Sequence, residues 1–384
     1  MGGAQIDSHQ IAGFAGSGDG SALLSIMVIS VIIQSPLHLS RGRARRGKKT
    51  EITASPRTQF VPWRKSLNGL FAAAVCCVTI TAAIAWRIGG DLIAPANRSV
   101  GPPPRDLPVE SLTLPSASGS AIAAWYLPST PDGVAATVVL LHPLRGSRRS
   151  MLNRAALFHR VGFAVVMIDL QAHGESPGTY ITAGFLERKD VEAAVAFARA
   201  ENPDHRLVVV GRSLGGAAAL LASPLPIDAL VLESVYPTLE EAVANRIQMR
   251  LGTTLGALAS PLLLWQFRPR LGIDPDRLRP IERLASIDYP LLIMAGDLDR
   301  HTTLAETQRL FAAAGEPKTL AIFPGAAHED LLAFDPARYQ QAVLGFLDRH
   351  LGALRPSGEP QRCDFDPASE GKGKGKGKEC YRQR

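Results

Sequence analysis

Cysteine is scarce in this chain: there are four in 384 residues, and none falls between Cys77 and Cys363. A segment that long without cysteine depends on no disulfide and on no thiolate-bound metal. Cys76 follows Val75 rather than a small residue, which argues against a lipid-modified cysteine. The sequence also lacks a Gly-x-x-x-x-Gly-Lys phosphate loop and any His, Cys and carboxylate cluster at metal-ligand spacing, so neither cofactor nor metal is implied. Net positive charge is missing from the middle of the chain. Residues 1–65 hold nine Lys or Arg against three acids and residues 355–384 eight against five, so of the formal +7 the stretch 66–354 carries −2. A nucleic-acid partner would need its cations on the folded region, and none is expected.

Long apolar runs are rare too, and the one clear case stands out. Residues 70–86 contain no charge, end at Trp86 and follow Arg64 and Lys65 closely. The run is near the length that crosses a bilayer, so residues 67–90 read as a transmembrane anchor or a signal sequence. Ala83-Ile84-Ala85 offers a cleavage site, but the apolar run continues through it without a polar stretch, which favours the uncleaved anchor. Basic residues on the N-terminal side place that end in the cytoplasm and the downstream chain on the extracytoplasmic side. Cleavage would instead give a secreted or periplasmic protein. A shorter apolar run at residues 22–33 is a candidate second segment. Residues 1–66 are otherwise basic and atypical of a folded segment, and the functional start is expected to lie later.

Past a Pro-rich linker at 91–107, residues 108–354 read as one domain, followed by a Gly/Lys-rich disordered tail at 355–384. Short, nearly continuous apolar runs at 137–141, 164–168, 207–210, 229–232, 291–294 and 320–323 predict strands buried on both faces. Helical spacing at 187–200 and 339–351 alternates with them, Thr303 with Glu306 fits a capping box, and Asp335 before Pro336 fits a helix start. Residues 111–114 and 121–127 around Ser118-Gly119 read as an edge hairpin. Strands alternating with helices mean a mostly parallel sheet covered on both sides. An insert at about 236–288, rich in Leu, Arg and Pro, is expected to form a small helical cap. Its run Pro261 to Phe267 is apolar enough to line an acyl pocket or simply to glue the cap down.

Gly211-Arg212-Ser213-Leu214-Gly215 joins the strand at 207–210 to a small-residue run. A Gly-x-Ser-x-Gly step from strand to helix forces a sharp turn that lifts the serine hydroxyl clear of the backbone near amide N–H groups. Alone, the pattern also fits a glycine-rich turn. Two further groups leave the same predicted sheet edge: the carboxylates of Gly296-Asp297-Leu298-Asp299 and the histidine of Pro324-Gly325-Ala326-Ala327-His328. A serine nucleophile needs a base to take its proton and an acid to orient that base, and candidates for both lie downstream of Ser213.

These motifs, together with Leu141-His142-Pro143-Leu144-Arg145-Gly146 and Asp169-Leu170-Gln171-Ala172-His173-Gly174-Glu175-Ser176, make the chain resemble an α/β-hydrolase of the small-cap type, grouped with the serine aminopeptidase-like and BEM46-like hydrolases. The likeness covers roughly residues 108–352. It implies an eight-stranded, mostly parallel sheet with helices on both faces and a small helical cap. It also implies Ser213 as nucleophile, His328 as general base, Asp299 as the acid that orients it, and the backbone N–H groups of Leu144 and Leu214 as oxyanion donors. Pro143 departs from the glycine usual after the loop histidine, which puts the loop's path near Leu144 in question. Asp297 is the competitor for Asp299. Glu233, where some relatives place their acid, reads as structural, as do His142 and His173, and His301 reads as solvated. The implied reaction is hydrolysis of a carboxylic ester, with thioester or amide cleavage, acyl transfer, peptidase action and a non-catalytic binding module as alternatives. The implied partner is a small acyl substrate, lipid-like or peptide, with the membrane met through residues 67–90. The oligomeric state is not legible.

Overall fold

The computed structural model describes residues 63–130 and 133–352, with side chains from residue 68 onward. The expected basic N-terminal region with its short apolar run, and the Gly/Lys-rich tail, lie outside the described residues. Met1–Lys65 and Ser66–Arg384 are separate units, and the sheet and its helices belong to the second.

The β-branched runs become the centre of an eight-stranded sheet. Its strands are β1 (Glu110–Pro115), β2 (Ala121–Leu127), β3 (Ala136–Leu141), β4 (Ala164–Ile168), β5 (Arg206–Arg212), β6 (Ala229–Glu233), β7 (Leu291–Gly296) and β8 (Lys318–Phe323), in the spatial order β1-β2-β4-β3-β5-β6-β7-β8. β1 and β2 form the antiparallel hairpin, β2 runs antiparallel to β4, and every other pairing is parallel. In β3, β4, β6 and β7 every residue is buried. Successive side chains point to opposite faces, so Val139, Leu141 and Val209 join one core while Val138, Leu140, Val208 and Val210 join the other.

Each core is closed by helices whose apolar stripe matches it. On the first face lie α3 (Glu187–Glu201), presenting Val191, Ala194, Val195 and Ala198, and α4 (Leu214–Ala222). On the second lie α2 (Leu152–Arg160), with Ala155 and Phe158, and α9 (Pro336–Leu351), with Tyr339, Val343, Phe346 and Leu347. α7 (Leu304–Ala313) starts at the expected Thr303–Glu306 capping box, the one-turn α8 (Leu331–Phe334) follows β8, and α9 starts at Asp335, whose side chain accepts from Arg338 N.

Between β6 and β7 the chain runs through α5 (Leu239–Trp265), α6 (Phe267–Leu271) and two short 3-10 turns. α5 is two helices joined at Gly252, whose φ of 76° is open to glycine and breaks the helical path. The second half carries Pro261 and holds no charge from Thr253 to Trp265. The long apolar run forms α1 (Trp63–Ile93), of which Asn68–Ile93 is long and apolar enough to cross a membrane.

Candidate functional site

Ser213 sits in the turn from β5 into α4 with φ 50° and ψ −112°, a left-handed conformation that costs a non-glycine residue about 1–2 kcal/mol. Two neighbours make the turn possible by having no side chain. A Cβ on Gly211 would lie 2.5 Å from Gly216 Cα, and one on Gly215 would lie 2.5 Å from the Leu141 carbonyl oxygen. The strain is held in place by a bond from Ser213 N to the Glu233 carbonyl at 2.8 Å. Leu214 is the first residue of α4, so its N–H has no partner one turn earlier in the helix.

Asp299 and His328 leave β7 and β8 and meet. His328 Nδ1 is 2.7 Å from Asp299 Oδ2, while Asp299 Oδ1 accepts from the N–H groups of His301 at 2.8 Å and Thr302 at 2.9 Å. Burial pushes the Asp299 carboxyl up. The His328 contact and the two amides outweigh it and hold the group ionised, below the usual carboxylate range. Asp297, the competitor, turns the other way and accepts from Gly325 N at 2.7 Å, which pins the two loops together. With Nδ1 occupied, Nε2 is the nitrogen of His328 left for proton transfer. The Ser213 hydroxyl makes no hydrogen bond among the described residues, as is common before a substrate draws nucleophile and base together.

His301 corrects the expectation of a solvated ring. It is half-buried and lies tilted against the ring of His328, 4.8 Å between centroids. Burial, then the neighbouring His328 and Arg246, lower its pKa. Asp299, His301 and His328 are the one trio among the described residues whose ligand atoms, all within 4.8 Å of one another, could hold a metal ion. Asp299 and His328 already satisfy each other, so the trio does not require one.

The loop after β3 is fixed in spite of Pro143. His142 Nδ1 donates to the Pro143 carbonyl at 2.8 Å, Gly146 N donates to the same oxygen at 2.9 Å, and His142 Nε2 accepts from Leu170 N at 3.0 Å. Burial drives the pKa of His142 down to about 3, so it is a neutral brace. The turn takes Arg145 to φ 58° and leaves Leu144 lining the same cavity as Ser213 and Leu214.

That cavity, about 120 Å³, is mostly aliphatic; beside Ser213, Leu144 and Leu214 its walls include Ile181 and Ala183, Leu92 and Ile93 of α1, Val243 and Leu263 of α5, and Phe267 of α6. Of the cap run Pro261 to Phe267, Leu263 and Phe267 therefore line it. Pro261, Leu264 and Trp265 border a different cleft and Leu262 is exposed, so only part of the run faces the cavity. Arg246 is the cavity's one charged lining residue. Its guanidinium donates to the Ala242 carbonyl of its own helix at 2.7 Å and forms no ion pair among the described residues. Sequence reasoning missed Arg246 and the α1 contribution, because neither lies in a motif.

Glu233, at the end of β6, is committed elsewhere. Arg154 of α2 holds both its oxygens, at 2.9 and 2.5 Å, and the Tyr339 hydroxyl donates to one of them at 2.5 Å. All three side chains are fully buried.

The sheet order, with a strained serine after its fifth strand and a joined Asp–His pair after its seventh and eighth, is the α/β-hydrolase arrangement. The chain belongs to the α/β-hydrolase superfamily. It is 30% identical over 256 residues to the uncharacterized protein Rv2307c of Mycobacterium tuberculosis, covering 66% of this chain and 82% of that one. It is 25% identical over 250 residues to the α/β-hydrolase domain-containing protein WAV2 of Arabidopsis thaliana, covering 63% and 79%. The family described as serine aminopeptidase, S33, matches residues 132–279. Among solved structures, the esterase Pf2001 of Pyrococcus furiosus superposes with a TM-score of 0.55 at 22% identity, covering 68% of this chain and 99% of that one.

Proposed function

We propose that this protein is a serine hydrolase that cleaves carboxylic esters through Ser213, His328 and Asp299. The observation that carries the reading is the 2.7 Å contact of His328 Nδ1 with an ionised Asp299, on the sheet edge where Ser213 is held strained. In the first step Ser213 Oγ bonds to the acyl carbon, and its proton passes to His328 Nε2. Asp299 steadies the resulting imidazolium, and the N–H groups of Leu144 and Leu214 take the carbonyl oxygen's negative charge. Collapse breaks the ester bond as His328 returns the proton to the leaving alcohol. Water, deprotonated by His328, then attacks the acyl-enzyme, and the carboxylic acid leaves with Ser213 restored.

Cavity chemistry favours an apolar acyl group. It weighs against aminopeptidase action, since binding an α-ammonium group takes a carboxylate and the lining offers an arginine and no acid. Asn68–Ile93 serves in this reading as a membrane anchor, with Arg64 and Lys65 at its cytoplasmic end and the catalytic domain outside.

The test is covalent labelling of the full chain in detergent by a fluorophosphonate, followed by hydrolysis of p-nitrophenyl esters of increasing chain length. Labelling that disappears in both Ser213→Ala and His328→Ala supports the reading. A folded protein that takes no label and hydrolyses no ester overturns it.

A further inference from the structure

One face of the cap has no partner among the described residues. In the second half of α5, Leu255, Leu258, Leu262 and Trp265 recur every three or four residues and are all exposed, Leu258 to 70% and Trp265 to 64%. That spacing puts them in a single stripe. The 17 residues from Leu251 to Phe267 hold no charge and are bracketed by Arg250 and Arg268. Broken at Gly252 and carrying Pro261, the segment is not one continuous spanning helix, and its exposed apolar stripe, bracketed by two arginines, suits a helix that lies in the interface.

The stripe ends against α1. The Trp265 ring is 6.5 Å from that of Trp86, Gln266 Nε2 donates to the Ala85 carbonyl at 2.9 Å, and the Arg270 guanidinium lies 3.8 Å over the Trp86 ring and also donates to the Trp86 carbonyl. On α1 the uncharged run stops there: Arg87 follows at once and pairs with Asp91 in the open. Two tryptophans and an arginine thus mark one level, where amphipathic rings and cations prefer the headgroup boundary.

We infer that the stripe Leu255, Leu258, Leu262 and Trp265 is a membrane-docking face, lying in the outer headgroup boundary beside α1, and that the substrate is a lipid-borne ester taken from the bilayer. The second half of this inference rests on the serine hydrolase reading. Both elements that bound the Ser213 cavity from this side, α1 through Gly89, Leu92 and Ile93 and α5 through Leu263, are the ones the inference places at the membrane. An acyl chain passing between them reaches Ser213 along aliphatic walls without being transferred through water.

The experiment uses the full chain in phosphatidylcholine vesicles, compared with a variant carrying Leu255→Glu, Leu258→Glu and Leu262→Glu and a milder one with serine at the same three positions. None of these leucines lines the Ser213 cavity. The expected result is that p-nitrophenyl acetate hydrolysis stays within about twofold, while hydrolysis of p-nitrophenyl palmitate carried in the vesicles falls by roughly tenfold or more, the worth of one buried apolar side chain. Trp265 fluorescence, isolated by subtracting the Trp265→Phe variant, should be quenched by phosphatidylcholine brominated near the headgroup. Unchanged palmitate hydrolysis in both variants overturns the inference. So does an unquenched Trp265, or a dimer of the parent protein in detergent that the substitutions dissolve, which would make the stripe a contact between copies. If neither ester is hydrolysed, the hydrolase reading fails instead, and the quenching alone decides the docking face.

Discussion

Two carboxylates stand at the ends of adjacent strands, Asp299 after β7 and Glu233 closing β6, and each meets a basic side chain from a distant part of the chain. Glu233 is spent. Arg154 takes both of its oxygens, Tyr339 donates to one again, and no atom of the trio reaches solvent or the cavity. Asp299 is bonded as fully, but its partner is an imidazole with a second nitrogen to offer. On the proposed hydrolase reading, the same kind of pairing builds a strut in one place and a relay in the other. What would separate them is whether the partner keeps a second nitrogen for the proton of Ser213, and neither depth of burial nor strength of pairing decides that.

The largest effect should come from Asp299→Asn. The amide would still accept from His301 N and Thr302 N, but its NH2 would face His328 Nδ1 and force the wrong tautomer, with the proton on Nε2. We expect kcat for p-nitrophenyl butyrate to fall about 10³–10⁴-fold, with the denaturant midpoint moving by less than about 1 kcal/mol in stability. A variant that keeps its rate within tenfold would make Asp299 a second strut and end the contrast.

Glu233→Gln should show the reverse. Arg154 would lose its charged acceptor in a fully buried site, although Asp330 at 2.9 Å would still hold one edge of the guanidinium. Breaking a buried pair from one side costs about 3–5 kcal/mol, and the remaining partner puts this case near about 3. Thermal unfolding should come roughly 6–12 °C earlier, while kcat per folded molecule, counted by fluorophosphonate titration, stays within a few-fold. A loss of kcat at unchanged stability would mean that Glu233 reaches the chemistry.

How much of this could be read in advance depends on distance along the chain. The parallel strands were legible because each is a short β-branched run that carries its own signal, and the helix starts at Thr303 and Asp335 because caps are local. The approach of Asp299 to His328 followed from two strand-end loops on one sheet edge. Arg154, Glu233 and Tyr339 are 79 and 106 positions apart, carry no motif and were invisible as a set. The packing of His301 against His328 was missed for a related reason, since a residue next to a loop tip gives no sign of which neighbour its ring will cover. The lodging of α1 against the cap was hidden as well, because an apolar run announces its length and not what it packs against.

A third carboxylate sharpens the comparison by having no cation among the described residues. Asp190 of α3 is fully buried and accepts from the Ser116 hydroxyl at 2.7 Å, the Ser118 hydroxyl at 2.6 Å and Gln171 N at 2.8 Å, with Glu187 as a like-charged neighbour. Burial, more than those bonds can offset, raises its pKa to about 6. An acid whose pKa is higher folded than unfolded adds stability while protonated, and that stability is lost as pH rises from about 4 through about 6. At about 1.4 kcal/mol per pH unit, the loss is about 3 kcal/mol. Asp190→Asn keeps a neutral acceptor at every pH, so its stability relative to the parent should improve by about that amount between pH 4 and pH 7 in urea unfolding. A flat difference would mean that Asp190 ionises freely and that three hydroxyl and amide donors can replace a cation. Glu233 would then owe less to Arg154 than its burial suggests, and the loss expected for Glu233→Gln would shrink with it.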